Sequence, residues 1–195
     1  MTIRNLDALF KPKSVALIGA STRPRSVGAV LARNLFGAGF SGPVMPVNPK
    51  YVAVEGVLAY KDVASLPLAP DLAVIATPPH TVPQLIAELG ARGTRAAVVI
   101  TAGFKEGDNA HGAALQQAML EAAQPHLLRI VGPNCVGIMV PGQGLNASFA
   151  HLAPRRGRLA FVAQSGAVIT SVIDWALPRG VGFSHLVSLG DMADV

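Results

Sequence analysis

Residues 19–28 read GASTRPRSVG and lie between an apolar run, 14–18 (SVALI), and an amphipathic stretch that starts at Val27. Strand, small-residue turn and helix in that order make an anion site. The first N–H groups of a helix have no partner within it, and its dipole favours negative charge at that end. Gly19, Ala20 and Gly28 leave room for backbone to approach a phosphate, Ser21 and Ser26 bring hydroxyl donors, and Arg23 and Arg25 bring positive charge. The plain alternative is a turn with solvated arginines. The strand–turn–helix context favours a phosphorylated small molecule.

The same residues narrow the ligand. The turn is not G-x-G-x-x-G, because Ser21 stands where the second glycine would be and the next glycine comes only at Gly28. An NAD site also wants an acid at the end of the second strand to hold the ribose hydroxyls. Asn48, Pro49 and Lys50 stand there instead, and Lys50 would attract a ribose-linked phosphate. NAD is disfavoured; NADP and coenzyme A stay open.

Other residues carry weaker chemistry. Cys135 is the single cysteine, which excludes a disulfide framework and a cysteine-based zinc site. Beside Pro133 and Asn134 it reads as a nucleophile or, more simply, as a small buried filler. Of the 5 histidines, His80 follows Pro78 and Pro79 near the expected ligand edge, where it is a contact or a helix-start residue; His111 and His126 fall on solvated helix positions.

Positioning these groups takes a particular architecture. Hydrophobic residues make up 51% of the 195, charged ones 14% and aromatics 5%, so the core is aliphatic. Aliphatic runs without alternation suit parallel strands covered on both faces. Strand-like runs at 14–18, Val44–Val47, 72–76, 96–101 and Arg129–Val131 alternate with helical stretches at Val27–Gly37, 81–91 and 109–123, after a short opening helix at Leu6–Phe10. That predicts a doubly wound α/β domain. Pro141–Gln143 with Gly144, and later 154–157, read as linker and turn. The rhythm then restarts with a buried strand at 158–163, a Gln164-Ser165-Gly166 turn, a helix at 167–177 and a strand at 183–189, the opening of a second α/β domain.

Charge and hydropathy exclude other classes. The balance is 16 basic against 11 acidic residues, a net +5. No aromatics interleave with the basic clusters and no nucleic-acid module signature is present, so the excess fits a phosphorylated small molecule at least as well as DNA, and no nucleic-acid partner is expected. Mean hydropathy is +0.44, yet no run approaches the roughly 18 apolar residues of a spanning helix. Residues 1–10 carry no signal-peptide pattern. A cytoplasmic protein without a membrane partner is expected.

The motifs VALIGAS (15–21), VNPK (47–50), ATPP (76–79), ITAGF (100–104), GPNCVG (132–137) and AQSGAV (163–168) occur in an order and spacing that resemble the NDP-forming acyl-CoA synthetases (acetate–CoA ligase, ADP-forming), relatives of the succinyl-CoA ligase α subunit. Each motif alone is weak; their joint spacing over essentially the whole chain is specific. The same CoA-binding half begins the GNAT-fused protein lysine acetyltransferases, so the resemblance leaves both open. It implies a Rossmann-like CoA-binding domain over 1–140, a linker over 141–157, and from 158 to 195 the incomplete start of a flavodoxin-like, succinyl-CoA-ligase-like domain.

Carried to these positions, the resemblance implies that residues Gly19, Ala20, Ser21, Arg23, Arg25, Ser26, Val27 and Gly28 hold the CoA phosphates, with Asn48, Pro49 and Lys50 on an anionic CoA group. Thr77, Pro78 and Pro79 with Ile100, Thr101 and Ala102 line the adenosine and pantetheine path. Pro133, Asn134 and Cys135 border the thiol, and Gln164, Ser165 and Gly166 face the phosphate of a phosphohistidine. The resemblance places that histidine, the nucleotide-grasping (ATP-grasp) domain, and ATP/ADP with magnesium in further domains or a subunit. No catalytic residue and no metal ligand is expected here, and the chain alone is expected not to turn over. Expected partners are CoA or acetyl-CoA, the remaining ligase and ATP-grasp parts, and a second copy of the chain. A stand-alone CoA-sensing module and an NADP-linked oxidoreductase are the competing readings.

Overall fold

The computed structural model describes residues 3–104 and 110–194. In chain order the first unit holds α1 (Leu6–Phe10), β1 (Val15–Ile18), α2 (Val27–Gly37), β2 (Val44–Val47), a small hairpin of β3 (Ala53–Val54) and β4 (Val57–Leu58), β5 (Leu72–Ile75), α3 (Val82–Ala91), β6 (Ala96–Val99), α4 (Ala110–Ala123) and β7 (Arg129–Val131). The expected helix start at Asn109 lies outside the described residues.

Five strands form one parallel sheet in the order β2-β1-β5-β6-β7. Counting only these strands, the order is 2-1-3-4-5, a doubly wound arrangement that reverses direction between β1 and β5. Both faces are covered, which explains the missing polar alternation. Val15, Leu17, Leu72 and Val74 pack with Leu31 and Leu35 of α2. Their neighbours Ala16, Ile18, Ala73 and Ile75 pack with Ile86 and Leu89 of α3 and Met119 of α4. Successive strand side chains point to opposite faces, so two separate aliphatic layers result.

The second unit holds β8 (Gly137–Val140), β9 (Leu145–Ser148), β10 (Arg156–Ala163), α5 (Gly166–Ala176) and β11 (Phe183–Ser188), with sheet order β10-β11-β8-β9. β10 and β11 are parallel; β11–β8 and β8–β9 are antiparallel. Two sequence expectations change here. The stretch 141–157 is not simply linker: Pro141–Gln143 turns a hairpin, and β9 is buried along its whole length. Ile138, Val140, Leu145 and Ala147 share a core with Leu31 and Leu35 of α2, and Asn34 Nδ2 donates to the Ser148 and Ala150 carbonyls at 2.8 and 2.9 Å. The hairpin thus glues the second sheet to the first.

The second change concerns 158–163, expected as a buried strand. β10 is a sheet edge with one strand neighbour, and Leu159 and Val162 are 56% and 55% exposed. An apolar sequence says that a strand prefers cover; it does not say whether cover is there.

Beyond β11 the chain doubles back as a strap. Gly190 N donates to Gln164 O at 3.1 Å, Asp191 N to Pro133 O at 2.8 Å and Ala193 N to Gly132 O at 3.0 Å. Asp194 then receives the Ile130 N–H at 2.9 Å and pairs with the buried Arg129 guanidinium at 3.2 Å. No helix among the described residues is long and apolar enough to cross a membrane.

Candidate functional site

The carboxyl ends of β1, β2, β5 and β6 open onto two adjoining cavities that share Val27, Ala76 and Thr77. The outer cavity, about 550 Å³, is walled by Gly19, Ser21, Arg23, Ser26 and Gly28 on one side and by Asn48, Pro49, Lys50, Tyr51 and Pro78 on the other. The inner cavity, about 440 Å³, is bounded by Ile100, Thr101, Ala102, Asn134, Cys135, Val136, Phe149 and Gly166. A side cavity of about 290 Å³ opens towards α3 past Gly19, Asn48, Pro49, Thr77 and Pro78. Ligands of open α/β sheets lie at this edge.

The outer turn is shaped by its glycines. Gly19 has φ +92° with Ala76 O 2.7 Å from where a Cβ would sit, and a Cβ on Gly28 would land on the Gly19 carbonyl oxygen. Strand and helix therefore meet backbone to backbone, and the start of α2 stays open to a ligand. Asn48 Nδ2 donates to Ala20 O at 2.7 Å and Asn48 Oδ1 accepts from Lys50 N at 2.9 Å, which ties the end of β2 to the turn. Lys50 and Arg23 then stand exposed on opposite walls.

Ser26 corrects an expectation. Its hydroxyl donates to Arg23 O at 2.7 Å and accepts from Ala29 N at 3.3 Å as the cap of α2. With its one proton committed, it lines the cavity without a donor to offer. Ser21 Oγ accepts from Arg23 N at 3.0 Å and lies 3.4 Å from the Tyr51 hydroxyl. The Ser21 hydrogen bond, with one from Thr22 and the nearby Arg23 and Lys50 charges, holds the Tyr51 phenol below its ordinary range.

The inner cavity is neutral. Thr101 Oγ1 donates to Thr77 O at 2.8 Å, Thr77 and Thr81 share a hydroxyl bond at 2.7 Å, and Asn134 N donates to Thr101 O at 2.9 Å. Cys135 is the small buried filler: its Sγ donates to Val99 O at 3.3 Å, and burial pushes its thiol up to about 12. A thiol so seldom ionised is no nucleophile near neutrality. At the far end α5 begins, capped by Ser165 Oγ accepting from Val168 N at 3.4 Å. A Cβ on Gly166 would collide with Val136 Cγ2, so this helix end abuts the inner cavity directly.

Several expected residues stand outside these walls. Ala20 is fully buried beneath the turn, Arg25 points to solvent at φ +62°, and Pro79, Pro133, Gln164 and Ser165 flank the cavities without lining them. His80 is exposed beyond Pro79 and lines none of the three cavities. Tyr51, Val136 and Phe149 line them and were not foreseen. An aromatic next to Lys50 could have flagged Tyr51. Phe149 had no signal, because its segment read as linker.

A doubly wound sheet with a basic small-residue turn and an adjoining neutral cavity suits a phosphorylated carrier molecule. The family model described as CoA binding domain matches residues 13–141, and the chain belongs to that family. A second, described as succinyl-CoA ligase like flavodoxin domain, matches residues 156–195. The chain is 44% identical over 188 residues to the ADP-forming acetate–CoA ligase I of Archaeoglobus fulgidus, covering 96% of this chain and 27% of that protein. It is 40% identical over 190 residues to the α subunit of ADP-forming acetate–CoA ligase II of Pyrococcus furiosus, 97% of this chain and 41% of that one. Among solved structures it superposes at TM-score 0.91 and 35% identity on the dinucleotide forming acetyl-coenzyme A synthetase 1 of Ca. Korarchaeum cryptofilum in complex with phosphate and ADP, covering 97% of this chain and 40% of that one. The structure of PH0766 from Pyrococcus horikoshii matches at TM-score 0.91 and 40% identity, over 97% and 43%. The chain thus spans 27% and 41% of the length of these two curated relatives.

Proposed function

We propose that this chain is the CoA-binding part of an NDP-forming acyl-CoA synthetase, working in the cytoplasm on the reaction of an acid, CoA and ATP to acyl-CoA, ADP and phosphate. Residues 1–140 act as the CoA domain, and 158–195 begin the ligase domain. The observation that carries the reading is the end-to-end placement of a basic cavity, a neutral cavity and a helix N-terminus. The CoA phosphates suit the outer cavity, where the Gly19–Gly28 backbone and the Arg23 and Lys50 charges meet. The apolar and hydroxyl walls of the inner cavity suit pantetheine, which is uncharged. The thiol then ends near Asn134 and Gly166.

The start of α5 supplies the chemistry at that end. Its unpartnered N–H groups would hold the phosphate of a phosphohistidine presented by another part of the ligase, next to the thiol that is to be acylated. ATP/ADP and magnesium act at that other part. This chain's own residues bind, orient and exclude water; none of them transfers a group.

Calorimetry with CoA, dephospho-CoA, NADP and NAD tests the proposal. CoA should bind and raise the melting temperature by linkage more than NAD does. Tight NAD binding with no CoA binding would overturn it.

A further inference from the structure

The strap after β11 touches both ends of the proposed acyl-transfer centre. Gly190 N holds the carbonyl of Gln164, the residue that leads into the α5 cap, at 3.1 Å, and Asp191 N holds Pro133 O at 2.8 Å. Asp191 Oδ1 accepts from Asn134 Nδ2 at 3.3 Å. Asn134 lines the inner cavity and sits at φ +56°, a left-handed conformation that asparagine tolerates better than most residues. From Asn134 a run of bonds crosses the sheet edge: Asn134 N to Thr101 O at 2.9 Å, then Thr101 Oγ1 to Thr77 O at 2.8 Å. Each of these three residues walls the inner cavity. The space at Gly190 is equally specific, since a Cβ there would overlap the Pro133 carbonyl oxygen.

We infer that Asp191 is a positioning residue: by gripping Asn134 and Pro133 from the second sheet, it sets the thiol end of the CoA site and fixes it relative to the start of α5. The inference rests on the CoA reading above. Asp191 does not touch CoA; it decides where the Asn134 amide points. Sequence spacing could not reveal it, because 57 residues separate the pair.

The test is calorimetry on the 195-residue chain with two ligands, CoA and adenosine 3′,5′-bisphosphate, which carries the nucleotide end alone. Asp191→Ala should weaken CoA about tenfold and leave bisphosphate binding unchanged. Asn134→Ala should show the same selective loss, and the double variant should lose no more than either single one, as expected for residues acting as a unit. Asp191→Asn keeps a carbonyl acceptor and should restore most of the CoA affinity. Wild-type CoA affinity in Asp191→Ala would overturn the inference, as would a parallel loss of both ligands with a lowered melting temperature, which marks a purely structural strap. Failure of the unaltered chain to bind CoA would overturn the functional proposal instead.

Discussion

The two strand–turn–helix junctions of this protein, Ile18 to Val27 and Ala163 to Gly166, are built alike and equipped differently. Both helices are capped by a serine that accepts the N–H three residues on, Ser26 from Ala29 and Ser165 from Val168. Both have a glycine where a Cβ has no room, Gly28 against the Gly19 carbonyl and Gly166 against Val136. The first junction is long, carries Arg23 and faces Lys50 across a cavity of about 550 Å³. The second is short and brings no charged side chain to the inner cavity it abuts. In the proposed function the first takes the polyanionic phosphate end of CoA, which calls for cations. The other, in the same proposal, takes a phosphate that arrives and leaves, for which backbone N–H groups suffice.

The largest expected effect falls on the glycines. Gly28→Ala forces a methyl group onto backbone, which cannot yield cheaply, so a loss of about 2 kcal/mol and a fall of about 6 °C in melting temperature are expected, with CoA affinity lost alongside. Gly166→Ala meets only the end of the Val136 side chain and should cost less. Equal melting temperatures for the two variants would dissolve this contrast.

Charge comes next. Lys50→Ala should weaken CoA about tenfold and CoA more than dephospho-CoA, if the lysine meets the ribose 3′-phosphate; the loss should shrink as salt is raised. Equal losses for both ligands would move Lys50 to the pyrophosphate. No such salt dependence is expected at the second junction.

The caps provide a finer comparison. Ser26→Ala and Ser165→Ala should each cost about 1 kcal/mol of stability, read from urea midpoints. In the full ligase that the proposed function implies, Ser165→Ala should also slow phosphorylation of the histidine expected there, with CoA affinity unchanged. Phosphorylation at the wild-type rate would reduce Ser165 to a cap.

The smallest effect is at Cys135, in the wall between the two junctions. Its thiol ionises near 9.0 when unfolded and near 12 when folded. The raised folded value means that its contribution to stability is complete below pH 9 and is lost as pH climbs towards 12. Alkylation by iodoacetamide at pH 7 should be negligible until denaturant is added. Rapid labelling of the native chain would contradict the burial.

Much of the first unit was legible because its signals are local. The runs SVALI and LAVI carry enough aliphatic surface to be strands in any compact setting, and the helix at Val27–Gly37 is written in its own amphipathic spacing. The hairpin of β8 and β9 was not legible. Pro141, Gly142 and Gly144 mark a turn, and a turn reads the same in a linker as between paired strands. Asp191 was silent too, since its partner Asn134 lies 57 residues away, in the loop between β7 and β8.

By itself, then, the amino-acid sequence determined the five strands of the first sheet and their covering helices, the small-residue turn with its missing second glycine, and the lysine where an NAD site would want an acid. Periodicity, capping and side-chain charge act within a few residues or ride on residue type alone. Only the tertiary structure decided that β9 belongs to the second sheet, that β10 lies bare at an edge, and that a strap from β11 reaches the cavity at Asn134. Each of these depends on which distant partner fills a hydrogen bond or covers a face, and chain folding, not local preference, chooses that partner.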